Sequence, residues 1–221
     1  MMYATLNGMK AMKVISAIGY SILCFITITC SQKVHAQTKT AQVDSSWKQT
    51  YRAVATKTNN LKHTKLVASF NYEKSQMNGE VWLKLQPHFY PTKTLVLDAK
   101  AMDIKEVALM NGTAKTKLSY TYDSLQLQID LDKTYTAKES YNIYIKYIAR
   151  PNESKGQGSE AIRDAKGMYF INPLGTDKEK PTQIWTQGET EASSVWIPTK
   201  DQTNQKTTQE FYLTVPSKYV S

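Results

Sequence analysis

The sequence predicts an all-β fold, a sandwich or curved double sheet of at least seven strands, on three observations. Apolar side chains alternate with polar ones over short runs, turn-forming clusters separate the runs, and no helical repeat of useful length occurs after residue 60. In chain order the alternating sets are Leu66, Ala68, Phe70 and Tyr72; Val81, Leu83 and Leu85; Leu95 and Leu97; Leu125, Leu127, Ile129 and Leu131; Ile143, Ile145 and Tyr147; and Phe211, Leu213 and Val215. Successive side chains of a strand point to opposite faces, so each set is expected on a buried face. Between the sets fall "MNGE" (77–80), "QPHFYP" (86–91), "MNGT" (110–113) and "RPNESKGQGSE" (150–160), all read as turns or short crossovers.

Ahead of the strands, Lys10 and Lys13 precede the apolar run "VISAIGYSILCFITIT" (14–29), and "VHA" ends at Ala36. A basic region, an apolar region and small residues at the last and third-last positions are the parts of a secretory signal peptide. Residues 1–36 are expected to be removed before Gln37, giving an exported protein, periplasmic or extracellular, with no stable membrane insertion after cleavage. A retained membrane anchor is the competing reading. Residues 37–60 form a polar lead-in with a short helix expected around Trp47 to Ala55, and residues 61–221 form the β domain.

Removal of the first segment changes the chemistry available. Cys24 and Cys30 both lie in it, so the mature chain has no thiol for a nucleophile, a metal or a disulfide. Three lysines and no acid leave with it, so the formal charge falls from +9 to +6. The remaining lysines are spread along the chain and are not clustered with aromatics on one segment. They read as a solvated surface, and no nucleic-acid partner is expected. The only histidines left are His63 and His88, and neither H-E-x-x-H, G-x-S-x-G nor a P-loop occurs. No zinc peptidase site of the known kind is expected in this chain, and both histidines read as structural.

One segment, "TQGETEASSVWIP" (186–198), fits neither a clean strand nor a clean helix. If it is extended, Gln187, Glu189 and Glu191 share a face and make a small acidic patch with an amide beside it. Such a patch suits an ammonium group, held by charge-assisted hydrogen bonds. A solvated acidic loop is the competing reading. Glycosidase chemistry is disfavoured, because carboxylates two apart on one face do not straddle a bond.

The stretch from Gly167 to Val220 resembles the end of the N-terminal domain of the aminopeptidase N (M1) family of zinc metallopeptidases. The match rests on Thr186-Gln187-Gly188-Glu189 for the family's Thr-Gln-x-Glu segment, on Pro198, Asp201 and Lys206 for its Pro and D-x-P-x-x-K run, and on Val215-Pro216 for the end of its following strand. Upstream, "LKHTKLVASFNYEKSQMNGEVWLKL" (61–85) is similar to the family's opening strand pair and "LVLDAKAMDIKEV" (95–107) to its next two strands. Ser194 stands where the family usually has Arg, and Thr203 where it has Pro. The resemblance implies a saddle-shaped β-sandwich of curved, mostly antiparallel sheets whose final loop reaches over a catalytic cleft. It implies Glu189 as the anchor for a peptide's free α-amine and Gln187 as a wall of the first side-chain pocket, with no firm role for Glu191. The family's zinc-binding catalytic domain is expected beyond this sequence, supplied in cis or in trans, so no cofactor is expected in this chain itself.

Three readings of function follow. The chain is the substrate-gating domain of an exported zinc aminopeptidase, binding a peptide N-terminus; or a stand-alone β module that holds a peptide or protein partner without hydrolysis; or a carbohydrate-binding sandwich, which its Tyr and Trp content alone suggests and which core packing of aromatics explains as well.

Overall fold

The computed structural model describes residues 56–155, 165–189 and 191–219, all within one compact unit. The expected signal segment, most of the polar lead-in and its short helix lie outside these residues. The strands are β1 (Asn59–Asn71), β2 (Gln76–Pro87), β3 (Thr92–Asp98), β4 (Met102–Asn111), β5 (Ala114–Lys117), β6 (Tyr120–Tyr122), β7 (Gln126–Tyr135), β8 (Tyr141–Ala149), β9 (Met168–Ile171), β10 (Gln183–Thr186) and β11 (Thr208–Thr214). Single 3-10 turns occupy Pro151–Glu153 and Ser193–Val195. The all-β class is as predicted, in open mixed and antiparallel sheets.

The main sheet has the order β11-β1-β2-β8-β4-β5, antiparallel except where β11 runs parallel to β1. A second sheet, β3-β7-β6, covers part of it, and β9 and β10 form a separate hairpin. Leu83, Leu85, Ile143 and Ile145 of the first sheet and Leu95, Leu97, Leu127 and Ile129 of the second are fully buried in one shared cluster. The alternation in β2 and β8 thus sends one face into this core and leaves the other in water, as antiparallel sheets allow. β1 begins at Asn59, inside the stretch read as lead-in, and Asn59 is buried, with the Tyr141 hydroxyl donating to its side-chain oxygen at 2.7 Å.

Three expectations need correction. "MNGE" is not a turn: Met77 to Glu80 lie within β2, and Gly79 is there because the buried Tyr147 ring of β8, its register partner, crosses over it. The reversal comes earlier, at Tyr72–Ser75, where the Asn71 side chain accepts from the Lys74 N–H and Ser75 adopts φ 52°. Leu125 is 59% exposed, because the Asp123 carboxylate accepts the Leu125 and Gln126 N–H groups in a tight turn and the strand starts only afterwards. Those two N–H groups also hold the Asp123 carboxyl below its ordinary pKa.

The third correction bears on function. Phe211 and Leu213 alternate as a buried face should, yet they are 41% and 43% exposed, and every residue of β11 is exposed. Among the described residues β11 is the edge of the main sheet and pairs on one side only. It carries no Lys and no Pro, the usual guards of an edge strand. Its pattern is that of a strand meant to be covered.

Candidate functional site

β10 ends at Thr186, and the chain then turns sharply instead of continuing extended. The Gln187 N–H donates to the Gly167 carbonyl at 2.9 Å, and the Ala192 N–H returns to the Gly188 carbonyl at 2.9 Å. Glu191 takes φ 56° within this turn. The extended geometry that would line Gln187, Glu189 and Glu191 along one face is therefore absent. Gln187 is half-buried, whereas Glu189 and Glu191 are exposed.

The turn is fixed from below. Ser194 is fully buried; its N–H donates to the Asp201 carboxylate at 2.7 Å and its hydroxyl to the Glu191 carbonyl at 3.1 Å. Asp201 in turn donates its N–H to the Asp98 carboxylate at 2.9 Å, and Asp98 and Thr199 exchange both backbone bonds, at 2.7 and 3.0 Å. Lys100 gives its N–H to the Ser194 carbonyl and its ammonium to the Glu191 carbonyl. The Lys200 ammonium reaches the Val96 carbonyl at 3.1 Å, and its burial holds its pKa below the usual lysine value. From the other side, the Tyr147 hydroxyl donates to the Trp196 carbonyl at 2.8 Å. Ser194, where the family usually has Arg, thus supports the loop through its own backbone and hydroxyl.

Two glycines permit the arrangement. Gly167 has φ 67°, and a Cβ there would overlap the Ala192 carbonyl oxygen; a Cβ on Gly188 would lie 2.7 Å from the Ser193 hydroxyl. The Glu189 carboxylate makes no ion pair or hydrogen bond among the described residues. Glu191 contributes through its backbone carbonyl, not its carboxylate.

The turn opens beside an apolar groove of about 500 Å³. Thr186, three residues before Glu189, lines it, together with Phe70, Tyr72, Trp196, Phe211 and Tyr219. Tyr72 stacks on Tyr219 at 5.1 Å, and Trp196 meets Phe211 edge-on at 5.9 Å. The indole Nε1 of Trp196 is buried with no hydrogen-bond partner among the described residues. Trp185, 44% exposed, completes the rim. The sequence reading missed this groove because β9, β10 and β11 each look like ordinary strand; the near-continuous "FYLTV" (211–215) was the available signal.

A zinc ion does not fit the described residues. Among the described residues no three His, Cys, Asp or Glu side chains come together as a ligand set. His63 is engaged by Thr208 and Glu210 on the main sheet, and His88 by Asn60 at the end of β2. No chemical step is derived through a metal in this chain.

Among the described residues, fold and site together define an all-β domain with an uncovered apolar groove next to an acidic turn. The family model for the Peptidase M1 N-terminal domain matches residues 57–221, and the chain belongs to that family. Among solved structures it is similar to the M1 zinc metallopeptidase from Deinococcus radiodurans, with TM-score 0.60 and 15% identity over 76% of this chain and 35% of that one. It is also similar to leukotriene A4 hydrolase from Saccharomyces cerevisiae, with TM-score 0.54 and 17% identity over 77% of this chain and 27% of that one. At such identities the likeness is one of fold. The chain spans about a third of the length of the Deinococcus enzyme and less of the yeast one. No curated protein matches the chain.

Proposed function

We propose that this domain is the substrate-gating part of an exported zinc aminopeptidase. In this reading Glu189 pairs with the free α-amine of a peptide and Gln187 walls the first side-chain pocket. The zinc catalytic domain that completes the cleft is joined in cis or docks in trans. The observation that carries the reading is a carboxylate with no ion pair or hydrogen bond among the described residues, three residues beyond Thr186 of an uncovered apolar groove and on a turn whose ends are pinned by backbone hydrogen bonds. A carboxylate left without a protein partner on a fixed backbone is preorganised for an external cation. The groove, the unguarded edge of β11 and the unpartnered Trp196 N–H fit the remaining two thirds of an M1 peptidase. Fixing the amine of a peptide measures the cleavage position from its end, which is what an exopeptidase requires.

The test joins this domain to the remaining portion of an M1 relative so that the cleft is rebuilt. Glu189→Gln is expected to lower kcat/KM on peptides with a free α-amine by roughly tenfold to a hundredfold, the loss of one charge-assisted pair of about 1.5–3 kcal/mol. N-acetylated analogues, which lack the ammonium, should be little affected. Glu191→Gln should change either by less than about 1 kcal/mol, as a solvated carboxylate does. Equal losses from the two variants, or none from the first, would return the acidic turn to a solvated loop.

A second expectation concerns the chain by itself. Purified, it should take up no stoichiometric zinc in equilibrium dialysis and release no amino acid from aminoacyl substrates, because two separated histidines do not make a zinc site. Zinc-dependent release of an N-terminal residue by this chain alone would overturn the assignment of the metal to another domain.

A further inference from the structure

On the outer face of the main sheet the fold gathers lysines that the sequence scatters. The cross-strand register sets His63, Lys84, Asn142 and Met110 in one row over β1, β2, β8 and β4, and Lys65, Trp82, Tyr144 and Ala108 in the next. Lys115 of β5 continues the first row beside Met110. Lys62 and part of these rows, among them Lys65, Trp82, Lys84 and Lys115, line an open groove of about 870 Å³ that contains four lysines and no carboxylate. At about 4.8 Å per strand, the six strands from β11 to β5 give the face a width of roughly 24 Å.

The acids nearby neutralise the groove only in part, through Lys115, and leave Lys62 and Lys84 without a carboxylate partner among the described residues. Glu106 pairs with Lys115 at 3.4 Å, Glu80 with Lys146 at 3.5 Å, and Glu210 contacts His63 at 3.6 Å. Lys62 and Lys84 are exposed and their ammonium groups have no ion pair among the described residues. The Lys65 ammonium lies 5.5 Å from the Trp82 ring centre and 5.1 Å from that of Tyr212, and the Lys115 ammonium 3.3 Å from that of Tyr144. These contacts hold two of the charges over the floor and leave the other two for a ligand.

We propose that this groove binds an anionic polysaccharide, a sugar polymer carrying carboxylates. Two features of the groove select that class. Neutral hydrogen-bonding groups, Asn142, Ser140 and Thr113, lie among the lysines and match sugar hydroxyls as the ammonium groups match carboxylates. A peptide finds no main-chain partner there, since β1, β2, β8 and β4 are each paired on both sides and the groove sits on their face, not at an edge. Single-stranded nucleic acid needs open aromatic faces for its bases. The Trp82 ring is already covered by Lys65 and packed against Tyr144 at 5.1 Å, and no arginine lines the groove.

The test uses the full chain and four probes of similar length: alginate, which is a uronate polymer, neutral dextran, poly-glutamate and single-stranded DNA. Alginate is expected to bind and dextran not to bind, with the alginate affinity falling as salt rises. The double reversal Lys62→Glu/Lys84→Glu should weaken alginate at least about tenfold without changing the melting temperature, as both side chains are exposed. A control reversal of the same net charge elsewhere, Lys93→Glu/Lys178→Glu, should weaken it less than about twofold. Equal effects of the two reversals would show long-range charge instead of a site, and poly-glutamate or DNA binding as tight as alginate would show charge without sugar recognition. Either result, or the absence of alginate binding, overturns the proposal. None depends on Glu189 or on a catalytic domain.

Discussion

Gly79→Val is expected to destabilise the domain by about 1–4 kcal/mol, although valine is the better strand residue. The propensity term favours valine by at most about 1 kcal/mol. Against it stands steric overlap with a fully buried ring: a Cβ at position 79 would collide with the Tyr147 ring, its hydroxyl oxygen only 2.6 Å away. Overpacking of this kind costs about 1–3 kcal/mol. Moving the ring also withdraws the hydroxyl from the Trp196 carbonyl, now 2.8 Å from it, which adds about 0.5–1.5 kcal/mol. The overlap therefore outweighs the propensity. Thermal melts of Gly79→Val, Tyr147→Leu and the double variant check the mechanism. The double variant should be less destabilised than the two single losses added together by more than about 0.5 kcal/mol, because the smaller leucine side chain makes room for valine. Additive losses would mean that the two residues do not share the space.

That contact also shows where sequence reading ended. Period-2 alternation located β1, β2, β3, β7, β8 and β11 because each carries its own hydrophobic face, and a local pattern is all that the method needs. It misread "MNGE" as a turn because Asn-Gly is the usual hairpin signal, and nothing local reveals that Tyr147, 68 residues later, fills the space above Gly79. β11 failed in the opposite direction. Its alternation is genuine, but burial is a property of what packs on a strand, and the described residues leave Phe211 and Leu213 largely uncovered. The site divides in the same way. Its residue types were legible in Thr186 to Glu189, whereas its shape depends on Gly167, Lys100 and Asp98, which approach from other parts of the chain. The lysine face is the extreme case, since Lys62, Lys84 and Lys115 become neighbours only through strand register.

Gly167→Ala is expected to cost about 2–5 kcal/mol and to lower Tm by roughly 5–15 °C in a domain of this size. Two terms add. A left-handed residue with φ 67° costs an alanine about 1–2 kcal/mol. The new methyl would also overlap the Ala192 carbonyl oxygen, a backbone atom that cannot rotate away as a side chain does. Relief requires moving the turn that carries Glu189, which breaks the Gln187 N–H bond to the Gly167 carbonyl or the Ala192 N–H bond to the Gly188 carbonyl. Gly112→Ala separates the terms, since Gly112 has φ 59° and its open hairpin leaves no atom within 4 Å of where a methyl would sit. It should cost about 1–2 kcal/mol from conformation alone. Amide exchange should rise at Gln187 and Ala192 in Gly167→Ala and stay unchanged there in Gly112→Ala. Equal melting shifts for the two alanines would mean that the turn yields freely, and a turn that yields freely does not hold Glu189 preorganised for an ammonium group.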